Sequence, residues 1–191
     1  TAKSVTITAT GPSKTYGTAL TAGPSGANFT HVGEIDGETV TSVTLTPDAA
    51  GLSATTAAGA GYVVTPSLAT GTGGFLESNY QVAYIPFTGT VAEKALTITA
   101  ADKSKTYGAT VTFDTTTPST DFSVSELLPG DTVDSITLSS AGAVGTATVL
   151  GSPYAITPSA AVGMGLGNYN ITYVDAPVGL TVNARPVQLS G

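Results

Sequence analysis

The 191-residue sequence has no cysteine and no tryptophan, one methionine and one histidine. Without cysteine there are no disulfides, no thiolate metal sites and no thiol nucleophile. His31 has neither a second histidine nor a cysteine to work with, so it offers no metal centre and no Ser–His–Asp triad. Charge is also scarce, at 10% of residues against 41% hydrophobic ones, a balance that argues against a disordered polar chain. The charge that is present is acidic: six Lys and Arg face thirteen Asp and Glu, for a net −7. Such a surface repels phosphate backbones, so nucleic acid is not an expected partner. No apolar run reaches the ~18 residues of a membrane helix, and no basic-then-apolar leader opens the chain. Membrane insertion is therefore not expected of this stretch. A G-x-S-x-G elbow, a phosphate-binding Gly loop and a paired-carboxylate context are all missing, and no catalytic residue or enzyme activity is expected.

What the chain does have is an internal repeat. Val5-Thr6-Ile7-Thr8-Ala9 returns as Leu96-Thr97-Ile98-Thr99-Ala100, and Ser13-Lys14-Thr15-Tyr16-Gly17 as Ser104-Lys105-Thr106-Tyr107-Gly108, both 91 residues later. Asp36-Gly37-Glu38-Thr39 corresponds to Pro129-Gly130-Asp131-Thr132 at a spacing of 93, and Tyr62-Val63-Val64-Thr65-Pro66 to Tyr154-Ala155-Ile156-Thr157-Pro158 at 92. Asn79-Tyr80-Gln81-Val82-Ala83-Tyr84 corresponds to Asn168-Tyr169-Asn170-Ile171-Thr172-Tyr173 at 89, and the register returns to 91 at Thr90-Val91 and Thr181-Val182. Shifts that cancel are what insertions between fixed strands produce. Lys3, Lys94 and Arg185 stand at equal spacing, with Val187 and Leu189 in the places of Leu96 and Ile98. The expected organisation is repeat one at 3–93, repeat two at 94–184 and the start of a third at 185–191, a piece of a longer array.

Each copy reads as strands. Val5, Ile7 and Ala9 alternate with threonines, and Val40 to Leu45, Tyr62 to Thr65, Tyr80 to Ile85 and Thr88 to Val91 supply further strands between Gly, Pro, Asn and Asp. The fold expected is all-β: two tandem small β-sandwich-like modules end to end. The alternative is a β-grasp-like module with one short helix each, resting on a helical turn at Ser125-Glu126-Leu127-Leu128. The stretch from Ala49 to Gly61 is expected to be loop or a weakly encoded strand. The junction Thr90-Val91-Ala92-Glu93-Lys94-Ala95-Leu96 lacks a Gly, Ser or Pro spacer, which predicts a restricted rather than freely coiling connection.

In order, these motifs — Lys-x-Leu/Val-Thr-Ile-Thr-Ala, Ser-Lys-Thr-Tyr-Gly, Gly-Glu/Asp-Thr, Tyr-x-Ile/Val-Thr-Pro and Asn-Tyr-x-Ile/Val-x-Tyr — resemble the YGX-type MBG domain over both copies. The resemblance implies an extracellular tandem repeat of large bacterial surface adhesins, structural or adhesive in role, with no known catalysis. On that basis the expected function is a semi-rigid stalk segment that projects a distal binding region. The alternatives are direct binding of host glycan, mucin or protein, and cell–cell self-association. Expected partners are neighbouring repeats of the same chain, the chain itself being monomeric. The copies depart from each other at Asp36-Gly37-Glu38 against Pro129-Gly130-Asp131 and at Gly71-Thr72-Gly73-Gly74, where copy-specific binding would lie.

Several residues invite chemistry. Tyr16-Gly17 and Tyr107-Gly108 predict a turn with Gly at positive φ and Tyr capping the core; ligand stacking by the tyrosine is the competing view. Asn79-Tyr80 and Asn168-Tyr169 complete the structural signature. Glu34, Asp36 and Glu38 alternate and would share one face of a strand, a weak calcium site, although the calcium-loop spacing is missing; the bland alternative is a solvated acidic turn, and no other cofactor is expected. Lys3 and Lys94 with Asn79, Asn168 or Asn183 raise a Lys–Asn isopeptide crosslink, but Ala92 replaces Asn183 in the first copy. The Thr6/Thr8 and Thr97/Thr99 pairs resemble an ice-binding rank but occur once per repeat, as ordinary strand faces do.

Overall fold

A computed structural model describes residues 2–187, and the chain divides into two units, 1–94 and 95–191. Unit 1 runs through β1 (Lys3–Ala9), β2 (Gly23–Ser25), β3 (Phe29–Val32) and β4 (Thr39–Pro47) to the helical turn α1 (Ala49–Leu52). It continues with β5 (Gly61–Thr72), β6 (Tyr80–Ile85) and β7 (Phe87–Thr90). The alternating apolar and threonine residues put β1 at the centre of a sheet, with Val5, Ile7 and Ala9 buried and Thr6 and Thr8 on the other face. Its neighbours are β3, antiparallel, and β6, parallel with Lys3 opposite Tyr80 and Thr8 opposite Ile85. A second, antiparallel sheet has the order β2-β4-β5-β7. The face of β5 meets β1 and β6, so Val5, Ile7, Val43, Leu45, Tyr62 and Val64 are enclosed between two layers.

Unit 2 takes in β8 (Lys94–Ala100), β9 (Lys103–Thr106), β10 (Phe122–Val124), β11 (Ser135–Ser139), β12 (Thr157–Val162), β13 (Tyr169–Val174) and β14 (Leu180–Asn183). Again the alternating strand is central, in the order β10-β8-β13. β11 and β12 pair antiparallel, while β14 runs parallel to β9. Leu96, Ile98, Ala100, Ile136, Ile156, Leu180 and Val182 form the core. The fold is all-β, as expected.

The helical segments are not where the sequence predicts them. Ser125 to Leu128 form no helix: the Ser125 N–H donates to the Thr97 carbonyl and its Oγ accepts from the Thr97 N–H, both at 2.8 Å. This extends the pairing of β10 with β8 and keeps the segment out of a helical turn. The turn lies instead at the start of the stretch expected to be loop or strand. Asp48 Oδ1 caps α1 by accepting from the Gly51 N–H at 2.8 Å. Ser140 does the same for Gly142 at a 3-10 turn, Ala141–Ala143. Of the expected third repeat, residues 185–187 form no strand, and Leu189 lies outside the described residues.

Candidate functional site: tyrosine links and buried lysines

The motifs that recur in the sequence meet in space. Between β3 and β4 the turn Ile35-Asp36-Gly37-Glu38 closes with the Glu38 N–H on the Ile35 carbonyl at 3.1 Å. Gly37 has φ +88°, the positive angle a type II turn demands at its third position. The hydroxyl of Tyr80, on β6, accepts from the Ile35 N–H at 3.2 Å and donates to Glu38 Oε2 at 2.6 Å. Unit 2 repeats the arrangement bond for bond. Leu128-Pro129-Gly130-Asp131 closes at 3.0 Å with Gly130 at φ +98°. Tyr169 OH accepts from the Leu128 N–H at 2.9 Å and donates to Asp131 Oδ2 at 2.6 Å. The Glu38 carboxylate, with burial adding to it, raises the Tyr80 phenol above its ordinary pKa.

The second tyrosine of the same motif fills a second role. Leu68 and Ala160 hold left-handed backbone, φ +51° and +49°, where the β4–β5 and β11–β12 registers slip by one residue. A bulge of this kind leaves one N–H outside the ladder. The Ala69 N–H donates to Tyr84 OH, and the Ala161 N–H to Tyr173 OH, each at 2.8 Å. Tyr80 and Tyr84, four apart on β6, therefore link the sheet containing β1 to the β3–β4 turn and to β5. Burial, and then Glu77, which accepts from the Tyr84 hydroxyl at 2.8 Å, push the Tyr84 phenol up to about 12.

The lysine of Ser-Lys-Thr-Tyr-Gly is buried in both units. Lys14 Nζ donates to the carbonyls of Thr18 and Ser53, the latter just past α1; Lys105 Nζ donates to those of Ala109 and Val144, the equivalent positions. One of the two carbonyls in each unit, Ser53 or Val144, is the cap at the end of the short helical turn, where a positive charge is favoured. Burial pulls the Lys14 pKa below the usual lysine range. Sequence reasoning missed these lysines, although the signal was present: a positive charge repeated inside an otherwise uncharged motif.

The other predicted residues are placed as follows. Gly17 and Gly108 take φ +89° and +93°, as expected of the turn. Tyr16 is buried, but Tyr107 is 44% exposed and does not cap the core of unit 2. Glu34, Asp36 and Glu38 lie on the turn rather than a strand and do not converge. Glu34 Oε1 pairs with His31 Nδ1, Glu38 is taken by Tyr80, and Asp36 faces solvent. Burial alone would raise the Glu34 pKa, but bonds from its own N–H, His31 and the Val40 N–H hold it below the usual range. Among the described residues no three His, Asp or Glu side chains gather as metal ligands. The Asp36-to-Glu38 and Pro129-to-Asp131 segments, expected to differ in role, carry the same link. Lys3 Nζ reaches the Glu34 carbonyl at 2.8 Å rather than an asparagine. The N–H groups of Asn79 and Asn168 close the 3-10 turns that lead into β6 and β13, at 2.9 and 3.0 Å.

The fold and these links define an all-β module whose recurring residues serve sheet-to-sheet hydrogen bonds. The family model of the MBG domain (YGX type) matches residues 96–178, from within β8 to the residues before β14. That stretch is similar to the YGX-type MBG domain, a repeat domain of surface proteins and not a known enzyme family. Neither the curated proteins nor the solved structures gave a match to the chain.

Proposed function

We propose that the chain is a stalk segment of an extracellular bacterial surface adhesin, adding length between a cell and a distal binding region. One observation carries this: the residues that recur from copy to copy are spent on internal links. Tyr80 and Tyr169, Tyr84 and Tyr173, and Lys14 and Lys105 bond turns, bulges and carbonyls of their own unit. A module selected to repeat keeps the parts that hold it together and lets its surface vary. Two facts support the reading further: the second unit is similar to a surface-protein repeat domain, and only Glu93 separates the bridge at Ala92 from β8.

Small-angle X-ray scattering on this chain and on three- and four-repeat versions tests it. The expected result is a maximum dimension that grows by a constant step per repeat. A dimension that stays nearly constant overturns it. Direct adhesion predicts saturable binding on an array of glycans and mucins, and self-association predicts a concentration-dependent sedimentation coefficient; the stalk reading predicts neither. It also predicts an unchanged melting temperature in millimolar calcium, the range in which extracellular calcium modules respond.

A further inference from the structure

Tension on a stalk enters each repeat at its first residues and leaves at its last, so the pairing of those segments decides what the tension meets. In unit 2 the segment after β8 is β9, and the last strand is β14; they are parallel, with Lys103 opposite Leu180 and Thr106 opposite Asn183. Pulling the ends apart loads β8 first, between β10 and β13, and through it drags β9 toward its N-terminus and β14 toward its C-terminus. For parallel strands these are opposite directions along one axis. All four register pairs then bear the load together, in shear, instead of opening one after another. Flanking bonds extend the pairing at both ends, from the Lys103 N–H to the Gly179 carbonyl at 3.1 Å and from the Tyr107 N–H to the Asn183 carbonyl at 2.8 Å.

Unit 1 has the same connection in shorter form. Thr15 and Ala92 form a parallel bridge, with the Tyr16 N–H on the Ala92 carbonyl and the Ala92 N–H on the Lys14 carbonyl, both at 2.9 Å. Ahead of it on the N-terminal side stand the six parallel pairs of β1 with β6, whose C-terminal end leads through β7 to Ala92. In each unit the inner partner of this contact carries the buried lysine. Lys14 and Lys105 each tie it to a carbonyl four residues on and to the carbonyl just past the helical turn, so the strand that receives the load is pinned to the body.

We propose that these parallel terminal contacts, each pinned by its buried lysine, form a shear-loaded clamp that makes the module force-bearing. The proposal rests on the stalk reading for its purpose, but its test is separate. Single-molecule force spectroscopy on the whole chain, pulled through handles at its two ends, should give two high-force unfolding events. The comparison is a peeling geometry. Because the native chain has no cysteine, handles can be placed at Thr39→Cys and Thr72→Cys alone. These two exposed residues face each other at the open end of the antiparallel β4–β5 pair, so force there opens one pair at a time. At equal loading rate, both end-to-end events should occur at higher force than the event in the peeling geometry.

Ala92→Pro removes the N–H that bonds Lys14. It should shift one end-to-end event to lower force and leave the other unchanged. Equal forces in the two pulling directions overturn the clamp, as do two unchanged events in an Ala92→Pro chain with the native melting curve. Should that variant lose an event altogether, the comparison of directions decides. Low end-to-end forces in a chain whose scattering dimension grows by a constant step would remove the clamp and leave the stalk standing.

Discussion

Unit 1 and unit 2 share their links but fill the space around them with different chemistry. Beneath its turn, unit 1 stacks Phe75 on Tyr80 at 5.2 Å and 17°, and buries Tyr62 with its hydroxyl on the Pro12 carbonyl at 2.9 Å. Unit 2 uses ions. Asp102 accepts from the Val178 and Gly179 N–H groups at 2.8 and 2.7 Å, and Lys103 pairs with the buried Asp121, which also holds the Asp114 N–H at 2.7 Å. In unit 1 the places of Asp102 and Lys103 are taken by Gly11 and Pro12. Aromatic packing and charge thus substitute for one another at the periphery, while the tyrosine and lysine links do not change. The module is defined by the links.

If that is right, the largest losses should come from the shared lysines, and they should be equal. Lys14→Ala removes the side-chain donor to the Thr18 carbonyl and one of the donors to that of Ser53, which Thr56 Oγ1 also reaches; Lys105→Ala does the same at Ala109 and at Val144, whose carbonyl keeps the Ala147 N–H. An unsatisfied acceptor costs about 1–3 kcal/mol and the packed lysine stem is lost with it, so each variant should lose roughly 3 kcal/mol in the urea transition of its own unit. A loss in one unit only would break the equivalence.

Next comes a residue that should separate the units. Asp121→Ala leaves the Lys103 ammonium and the Asp114 N–H without their acceptor. Breaking a fully buried pair costs roughly 3–5 kcal/mol, but Lys103 is 30% exposed and solvent takes up part of its charge. About 2 kcal/mol is expected, confined to unit 2. A matching fall in the unit 1 transition would contradict the division of the chain.

The tyrosines allow a pH test of the same difference. Tyr84 has Glu77 beside it, whereas the corresponding position in unit 2 is Leu166. The folded Tyr84 phenol is held up to about 12, above its ordinary value of 10.0. Between these values the folded state keeps a proton that the unfolded chain has released, so stability falls as pH rises through that window. The stabilisation is fully present below pH 10.0 and lost by about 12. Unit 1 should therefore lose on the order of 1 kcal/mol more than its Tyr84→Phe variant over this window, after allowing for solvent screening. Chemical denaturation at stepped pH measures it, and an identical pH profile for the two chains would remove Tyr84 as the cause.

Much of this was legible in the sequence, and the exceptions have physical reasons. β1 and β6 were readable because their alternation is a period-two pattern with one buried face. The turns at Gly17 and Gly108 were readable because only a residue free of Cβ takes that backbone angle cheaply. Less accessible was the pairing of motifs some forty residues apart, since nothing local says that the Tyr80 hydroxyl reaches Glu38. The acids therefore looked like a cation site, although Glu34 and Glu38 are already taken by His31 and Tyr80 and Asp36 faces solvent. The helical turn was misplaced because Ser125-Glu126-Leu127-Leu128 has helical propensity, but pairing with β8 outweighs a preference worth tenths of a kcal/mol per residue. The bulges at Leu68 and Ala160 had no sequence signal, because neither residue is the glycine that such an angle favours.

The smallest expected effect tests whether the turn link depends on its chemistry or on its length. Glu38 and Asp131 differ by one methylene, yet both stand 2.6 Å from their tyrosine hydroxyl. The two turns also differ two residues earlier, Asp36 against Pro129. Glu38→Asp and Asp131→Glu should each lengthen or compress one part-buried hydrogen bond without removing either partner. The stability change should be smaller than that of any variant above. The Tyr80 pKa is raised first by its bond to Glu38, so Glu38→Asp should bring it back toward the ordinary value. Ultraviolet titration of the tyrosines reads that shift directly. A shift with unchanged stability would mean that carboxylate and phenol meet because the turn presents them. A stability loss as large as that of Lys14→Ala would mean that acid length is matched to its turn, and that the two units reach one geometry by separate solutions.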